Sequence, residues 1–371
     1  MSASDLYAEL TEEFTRPLRL EDLLERAAGR LPWELPTREQ LEAERGRPLA
    51  HKDGLELAQG EFVAELLADD RAGRHLLESM LRPSADAEGR LDELRERGRV
   101  DFGSVRLTRQ GKAGVLELHN PRHLNAEDGT TLGATEAAVD LILLDPEIEI
   151  GVIRGGVIET GRYAGQRVFG AGINLTHLYA GRIDFLFYLI RDLGYVNKIF
   201  RGIIHDDGTT TEKLWIAGVE QYAIGGACQL LHVVDHVIAE RGARLYLPAR
   251  REGIIPGASN LRLPRFVGDR AARQAILSGR EWTAGEPDAA LICDEVIEPG
   301  EMDAAIEARV ESLTSSGLIN AAANRAALRS GQEPLDLFRD YMSTYAIEQA
   351  RCHLSPALVA NLEQHWNARR R

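Results

Sequence analysis

Cysteine is scarce in this chain. The 371 residues include three, Cys228, Cys293 and Cys352. An odd number, wide spacing and no Cys-x-x-Cys pair argue against a disulfide framework or a structural zinc site and fit a reducing cytoplasm. Positive charge is in the minority: 44 Lys and Arg against 58 Asp and Glu leave a formal net charge of −14. That balance disfavours nonspecific binding to nucleic acid or to an anionic membrane, and a polyanionic ligand would need locally clustered Arg or Lys. No stretch approaches the roughly 18 apolar residues of a membrane span. The opening Met1-Ser2-Ala3-Ser4-Asp5-Leu6 lacks a basic segment followed by an apolar run. Internal repeats and low-complexity tracts are also missing. A soluble, cytoplasmic protein is expected, long enough for one full core and a smaller flanking domain.

Residues 1–98 carry helical patterning, with Thr37 and Gln40 spaced as a capping box and Phe62, Leu66 and Leu67 at helical intervals. They are expected to form an N-terminal helical domain, with Ser84 to Arg90 as a linker or helix start. From Phe102 the period changes. Val105 to Leu107 and Val115 to Leu118 read as strands, and Gly111 marks the turn between them. A helix from about Glu127 to Leu144, a strand at Ile150 to Arg154, a long apolar helix over Ile183 to Phe200 and a strand at Leu214 to Val219 follow. Such alternation predicts an α/β core over 99–299. After Pro299 the helical period returns, giving a C-terminal helical region over 300–371.

Five ordered features lie inside that core: Asn120-Pro-Arg-His-Leu-Asn125-Ala126, Phe169-Gly-Ala-Gly-Ile173-Asn174-Leu175, Gly225-Gly226, Gly253-x-x-Pro256-Gly257 and Leu263-Pro-Arg-Phe-Val-Gly268. In this order they resemble the crotonase (enoyl-CoA hydratase/isomerase) superfamily over about Val105 to Val296. The resemblance implies a spiral of ββα units, C-terminal helices that drive assembly into a homotrimer or a dimer of trimers, and a CoA-thioester site. It also implies an oxyanion hole made by the backbone N–H groups of Ile173 and Gly226, where two aimed donors stabilise a thioester enolate without reorganising. Read without the resemblance, the glycines around those residues only permit tight turns.

Two positions depart from the hydratase pattern. Gln229 stands where the first family glutamate would be, and Ala249 where the second would be. Hydration needs a positioned acid and base, so the expectation is a retained CoA site with changed chemistry. Tyr195-Val-Asn-Lys, Lys213-Leu-Trp-Ile-Ala, Gly225-Gly-Ala-Cys-Gln-Leu, Leu247-Pro-Ala-Arg-Arg-Glu-Gly-Ile-Ile-Pro-Gly and Ile292-Cys-Asp-Glu-Val are similar to an oxygenase branch of the superfamily that serves dihydroxyphenylglycine biosynthesis for glycopeptide antibiotics. Relative to that branch the N-terminal region looks shorter and the segment Arg201 to Glu212 trimmed.

That likeness implies a dioxygenase that takes an arylacetyl-CoA thioester, 3,5-dihydroxyphenylacetyl-CoA, and O2 to the aryl glyoxylate and free CoA, with no metal and no organic cofactor. Ile173, Gly226 and Gln229 would be catalytic, and Glu127, Arg191 and Gln229 would orient the ring hydroxyls. The same likeness places CoA against Arg122, whose guanidinium can fork onto a phosphate, against the turn Thr160, Gly161, Arg162 and Tyr163, and against Ala171, Gly172, Ile173, Asn174, Leu175 and Thr176. On local pattern alone Glu127 and Arg191 are solvent-facing helix residues, and Arg122 is a surface arginine. No residue is marked as the base that removes the α-proton. The alternatives are another hydratase, isomerase or hydrolase of the superfamily with relocated groups, or a non-catalytic scaffold.

His232-Val-Val-Asp235-His236 contains the ligand types of a mononuclear iron oxygenase. His236 to Glu240, however, reads as a strand, so the two imidazoles are not expected to share a helical face, and no metal site is assigned. His119, His123 and His177 are expected as loop or pocket residues.

Overall fold

The hairpin expected beyond Phe102 opens the larger sheet of a computed structural model that describes residues 2–30, 34–315 and 317–368. Val105–Gln110 pairs antiparallel with Ala113–Leu118, and Arg99–Asp101 adds an edge strand. From Ala113–Leu118 the sheet continues parallel through Ile150–Gly155, Leu214–Val219, His236–Glu240 and Glu295–Ile297. A parallel strand covered on both faces is apolar throughout, and all six residues of Leu214–Val219 are buried.

A smaller sheet lies beside it. Tyr222–Ile224 runs parallel to Arg244–Tyr246, which pairs antiparallel with Glu281–Thr283. The chain therefore passes from Leu214–Val219 in the large sheet to Tyr222–Ile224 in the small one and into the short helix Gly226–Leu230. It repeats the same path through His236–Glu240, Arg244–Tyr246 and the helix Ala249–Glu252. These are two consecutive turns of the expected ββα spiral, and each delivers the start of a short helix to the same side.

Three expected elements need adjustment. Asp128 accepts hydrogen bonds from the amide and the hydroxyl of Thr130, which holds a turn there and delays the next helix to Leu132–Leu144. Glu127 thus precedes the helix and forms a lone parallel bridge with Ile173. The long helix over Ile183 to Phe200 is two, Leu186–Leu193 and Tyr195–Arg201. They break at Gly194, where a Cβ would stand 2.5 Å from the Ile190 carbonyl oxygen. The segment between Arg201 and Glu212 carries a small hairpin, Ile203–Ile204 with Thr210–Thr211. Ser84 is a helix start, its hydroxyl capping Ala85–Arg97, and Thr37 with Gln40 forms the expected capping box.

Helices Ala3–Leu10, Leu20–Ala27, Glu56–Ala68 and Asp70–Met80 share one apolar core with Leu186–Leu193, Leu335–His353 and Pro356–Trp366. Glu56–Ala68 and Leu335–His353 approach so closely that a Cβ on Gly60 would lie 2.5 Å from that of Ala350. Helices from both ends of the chain thus form one body over the ends of the short spiral helices.

Candidate active site

Arg191 is the hub of the inner cavity. It lies near the end of Leu186–Leu193, only 3% exposed, beside Glu127 at 5%. Its Nε and Nη2 fork onto the two carboxylate oxygens of Glu127, Nη2 to Oε1 at 3.0 Å. Nη2 also donates to the Gly226 carbonyl at 2.7 Å, and Nη1 to Oε1 of Gln229 at 2.9 Å. Burial opposes its charge, but Glu127, Tyr195 and Asp192 hold the guanidinium protonated well above its ordinary range. The solvent-facing reading of Glu127 and Arg191 fails because the break at Gly194 and the bridge to Ile173 turn both inward.

The bridge leaves one backbone amide without a strand partner. Glu127 donates its N–H to the Gly172 carbonyl and accepts from the Asn174 N–H, which leaves the Ile173 N–H aimed away from that partner. Gly226 opens its helix, so its N–H has no carbonyl a turn earlier to bond. Gly172 lies against Gly225 and Gly226, with a Cβ there 3.2 Å from the Gly226 nitrogen. The Ile173 and Gly226 amides therefore lie close to each other, and Arg191 holds Gly226 by its carbonyl.

The inner cavity is small, about 30 Å³, and is closed by Phe187, Tyr188, Ile254 and Tyr345. Gly257 closes it on another side: with φ +48 and Gln229 Oε1 and Asp192 Oδ2 within 2.6 Å of where a Cβ would be, it admits no side chain. Asp192 is buried, 3.6 Å from Arg191, and burial raises its carboxyl. Beside this cavity is an outer one of about 360 Å³, lined by Arg122, Ala171, Asn174, Leu175 and Thr176 and walled by Tyr246, Arg251, Asn361, His365 and Trp366. Ile173, Pro248 and Glu252 line both.

Most of the expected site residues thus meet at these two cavities. Gly172 lies against Gly225 and Gly226 without lining either. The turn Thr160, Gly161, Arg162 and Tyr163 lies outside both; it is largely exposed and is anchored by the Tyr163 hydroxyl to that of Tyr222 at 2.8 Å. His123 lines the outer cavity and packs edge-on against His177. His232 is buried and hydrogen-bonded to Ser259 at 3.0 Å, its imidazole pushed down to about 3 by burial. His236 opens its strand and faces Asp294 and Glu295. Among the described residues no three His, Cys, Asp or Glu are grouped to hold a metal ion.

Sequence reasoning missed Asp192, Glu252 and the aromatic lid. Glu252 had a signal: it follows Ala249 by three residues, one turn along the same helical face. The lid residue Tyr345 had none, since nothing local ties residue 345 to residue 191.

Residues 108–340 match the enoyl-CoA hydratase/isomerase family. The chain is 47% identical over 352 residues, 94% of its own length and 80% of the relative's, to a (3,5-dihydroxyphenyl)acetyl-CoA 1,2-dioxygenase of Amycolatopsis orientalis. It is 27% identical to a crotonyl-CoA hydratase of Syntrophomonas wolfei over 62% of this chain and 84% of the other. An enoyl-CoA hydratase/isomerase of Xanthobacter autotrophicus has the same fold, with a TM-score of 0.59 at 20% identity over 73% of this chain and 96% of that one. With this spiral, these paired amides and these matches, the chain belongs to the enoyl-CoA hydratase/isomerase family.

Proposed function

We propose that this protein is a dioxygenase that converts 3,5-dihydroxyphenylacetyl-CoA and O2 into 3,5-dihydroxyphenylglyoxylate and free CoA, with neither metal nor organic cofactor. The observation that carries the reading is the neutral amide of Gln229, pinned by Arg191 beside the two free amides, at the point where a hydratase of this family needs a carboxylate. A carboxylate there would reprotonate or repel a carbanion. The near full-length likeness to the Amycolatopsis dioxygenase supports the same conclusion.

In this reading the thioester oxygen sits between the N–H groups of Ile173 and Gly226, the CoA arm fills the outer cavity, and the aryl ring is directed at the inner one, whose 30 Å³ holds about one water, so Phe187, Tyr188, Ile254 and Tyr345 must move apart to admit it. Deprotonation at the α-carbon gives an enolate conjugated with an electron-rich ring. It passes one electron to O2, and the pair recombines as a peroxide on the α-carbon. The peroxide attacks the thioester carbonyl, the C–S bond breaks, and CoA leaves. Glu127, Arg191 and Gln229 orient the ring hydroxyls, and Arg122 meets a CoA phosphate at the outer cavity, which Arg251 also lines. The division into 1–98, 99–299 and 300–371, the cytoplasmic location and a homotrimer or dimer of trimers belong to the same proposal. Sedimentation as a monomer at micromolar concentration would remove the last.

The decisive test is O2 uptake by metal-analysed, chelator-treated protein given 3,5-dihydroxyphenylacetyl-CoA, with CoA and keto acid followed by mass spectrometry. Coupled uptake is expected. CoA release under argon would make the protein a hydrolase, and activity that returns only with iron would return the question to the histidines.

A further inference from the structure

We infer that Glu252 is the general base that removes the α-proton, a role that rests on the thioester reading of this site. A thioester lying across the two cavities places its carbonyl and α-carbon at their junction. The residues lining both are Ile173, Pro248 and Glu252, and of these Glu252 alone ionises. Its carboxylate has no hydrogen-bond or ion-pair partner among the described residues. The other carboxylates of the inner cavity are engaged: Glu127 by the Arg191 fork, Asp192 by Arg191 and the Ala258 amide. Burial without a compensating charge raises the Glu252 carboxyl to about 7, which matches a base working near neutrality.

The electrons balance without a further reagent. Glu252 takes one α-proton, and the C–H pair becomes the enolate held by Ile173 and Gly226. After the peroxide displaces CoA, the thiolate takes that proton from Glu252. The freed carboxylate then takes the second α-proton as the O–O bond breaks, giving the keto acid with both oxygen atoms of O2.

The test is exchange of the α-hydrogens of 3,5-dihydroxyphenylacetyl-CoA in D2O under argon, read by mass spectrometry, beside the Kd of the same thioester. Glu252→Gln should slow exchange about 100-fold or more with Kd within about threefold of the parent, and Glu252→Asp should recover part of the rate. Exchange by Glu252→Gln within about threefold of the parent overturns the assignment. If the parent exchanges α-hydrogen in a Glu252-dependent way yet consumes no O2 in air, the base stands and the dioxygenase reading falls.

Should Glu252→Gln fail to fold, the pH profile of the parent decides. The charged or titratable groups that share these cavities with Glu252 are the Tyr188, Tyr246 and Tyr345 hydroxyls, Glu127 and Asp192 with Arg191, Arg122, Arg251, His123 and His365. The tyrosines and arginines do not titrate between pH 5 and 8, and Glu127 is held by the Arg191 fork. An acid limb near 7 that persists in Asp192→Asn, His123→Asn and His365→Asn supports Glu252; a flat profile, or a limb lost with any of the three, overturns it.

Discussion

At Arg191 a single guanidinium meets a carboxylate, an amide and a backbone carbonyl, which is why lysine cannot replace it: an ammonium carries the charge but not the planar fork. Arg191→Lys should lower kcat/KM for 3,5-dihydroxyphenylacetyl-CoA at least about tenfold more than for phenylacetyl-CoA, because discrimination against a missing hydroxyl depends on paired polar groups. Equal losses for both thioesters would mark Arg191 as structural. Arg191→Met should cost about 3–5 kcal/mol in urea unfolding, since Glu127 would remain buried without its partner. Gln229→Glu should cut coupled O2 uptake at least about tenfold, because it sets a fourth carboxylate in the cavity that Glu127, Asp192 and Glu252 already line; full retained activity would remove Gln229 from the reacting group. The local sequence around Glu127 and Arg191 pointed to the surface, and the likeness to other proteins alone placed them in a site. Glu252 is hidden for the opposite reason: the position that departs from the family pattern is Ala249, and the carboxylate stands one turn later.

At the scale of elements, strands were legible, as were the helix starts at Thr37 and Ser84, but the start of Leu132–Leu144 and the break after Leu193 were not. Period-two patterns at Val105 to Leu107 and Val115 to Leu118 marked the hairpin, and the apolar run Leu214 to Val219 matched a strand buried on both faces. The apolar run over Ile183 to Phe200 hid its own break, because periodicity continues through Gly194 while the backbone does not; a glycine inside an apolar helix was the available signal. Gly194→Ala should destabilise the protein by about 1–3 kcal/mol in urea and lower activity by moving Arg191, since the added methyl meets the Ile190 carbonyl. An unchanged unfolding midpoint would show that the break is set elsewhere. The aromatic lid could not be read at all. Phe187 and Tyr345 stand more than 150 residues apart in the chain, and no local pattern encodes such a contact.

Across the whole molecule, one buried acid ties distant segments together. Glu333, fully buried, accepts from Arg201 at 3.0 Å, from Arg262 at 2.9 and 3.0 Å and from Arg265 at 2.9 Å. Burial works against its charge, yet these arginines, Arg262 foremost, hold the carboxyl down to about 2, from an ordinary 4.5. A folded-state pKa below the unfolded one stabilises fully above about pH 4.5, and that stabilisation disappears as pH falls toward 2. Urea midpoints should therefore drop across this window in the parent. In Glu333→Gln the protein should be weaker at pH 7 and the slope between pH 4.5 and 2 shallower; parallel slopes would show that other carboxylates govern acid unfolding.

The close crossing of Glu56–Ala68 with Leu335–His353 also fixes when chemistry can begin. A ribosome releases Ile173, Gly226 and Glu252 well before Tyr345 and the wall at Asn361 to Trp366 leave the tunnel. Helices made first must wait for those made last before their shared core can close. Until then the inner cavity lacks Tyr345 and the outer one lacks its wall at Asn361 to Trp366, so a chain whose synthesis stalls short of Tyr345 leaves the proposed base and amides open to water.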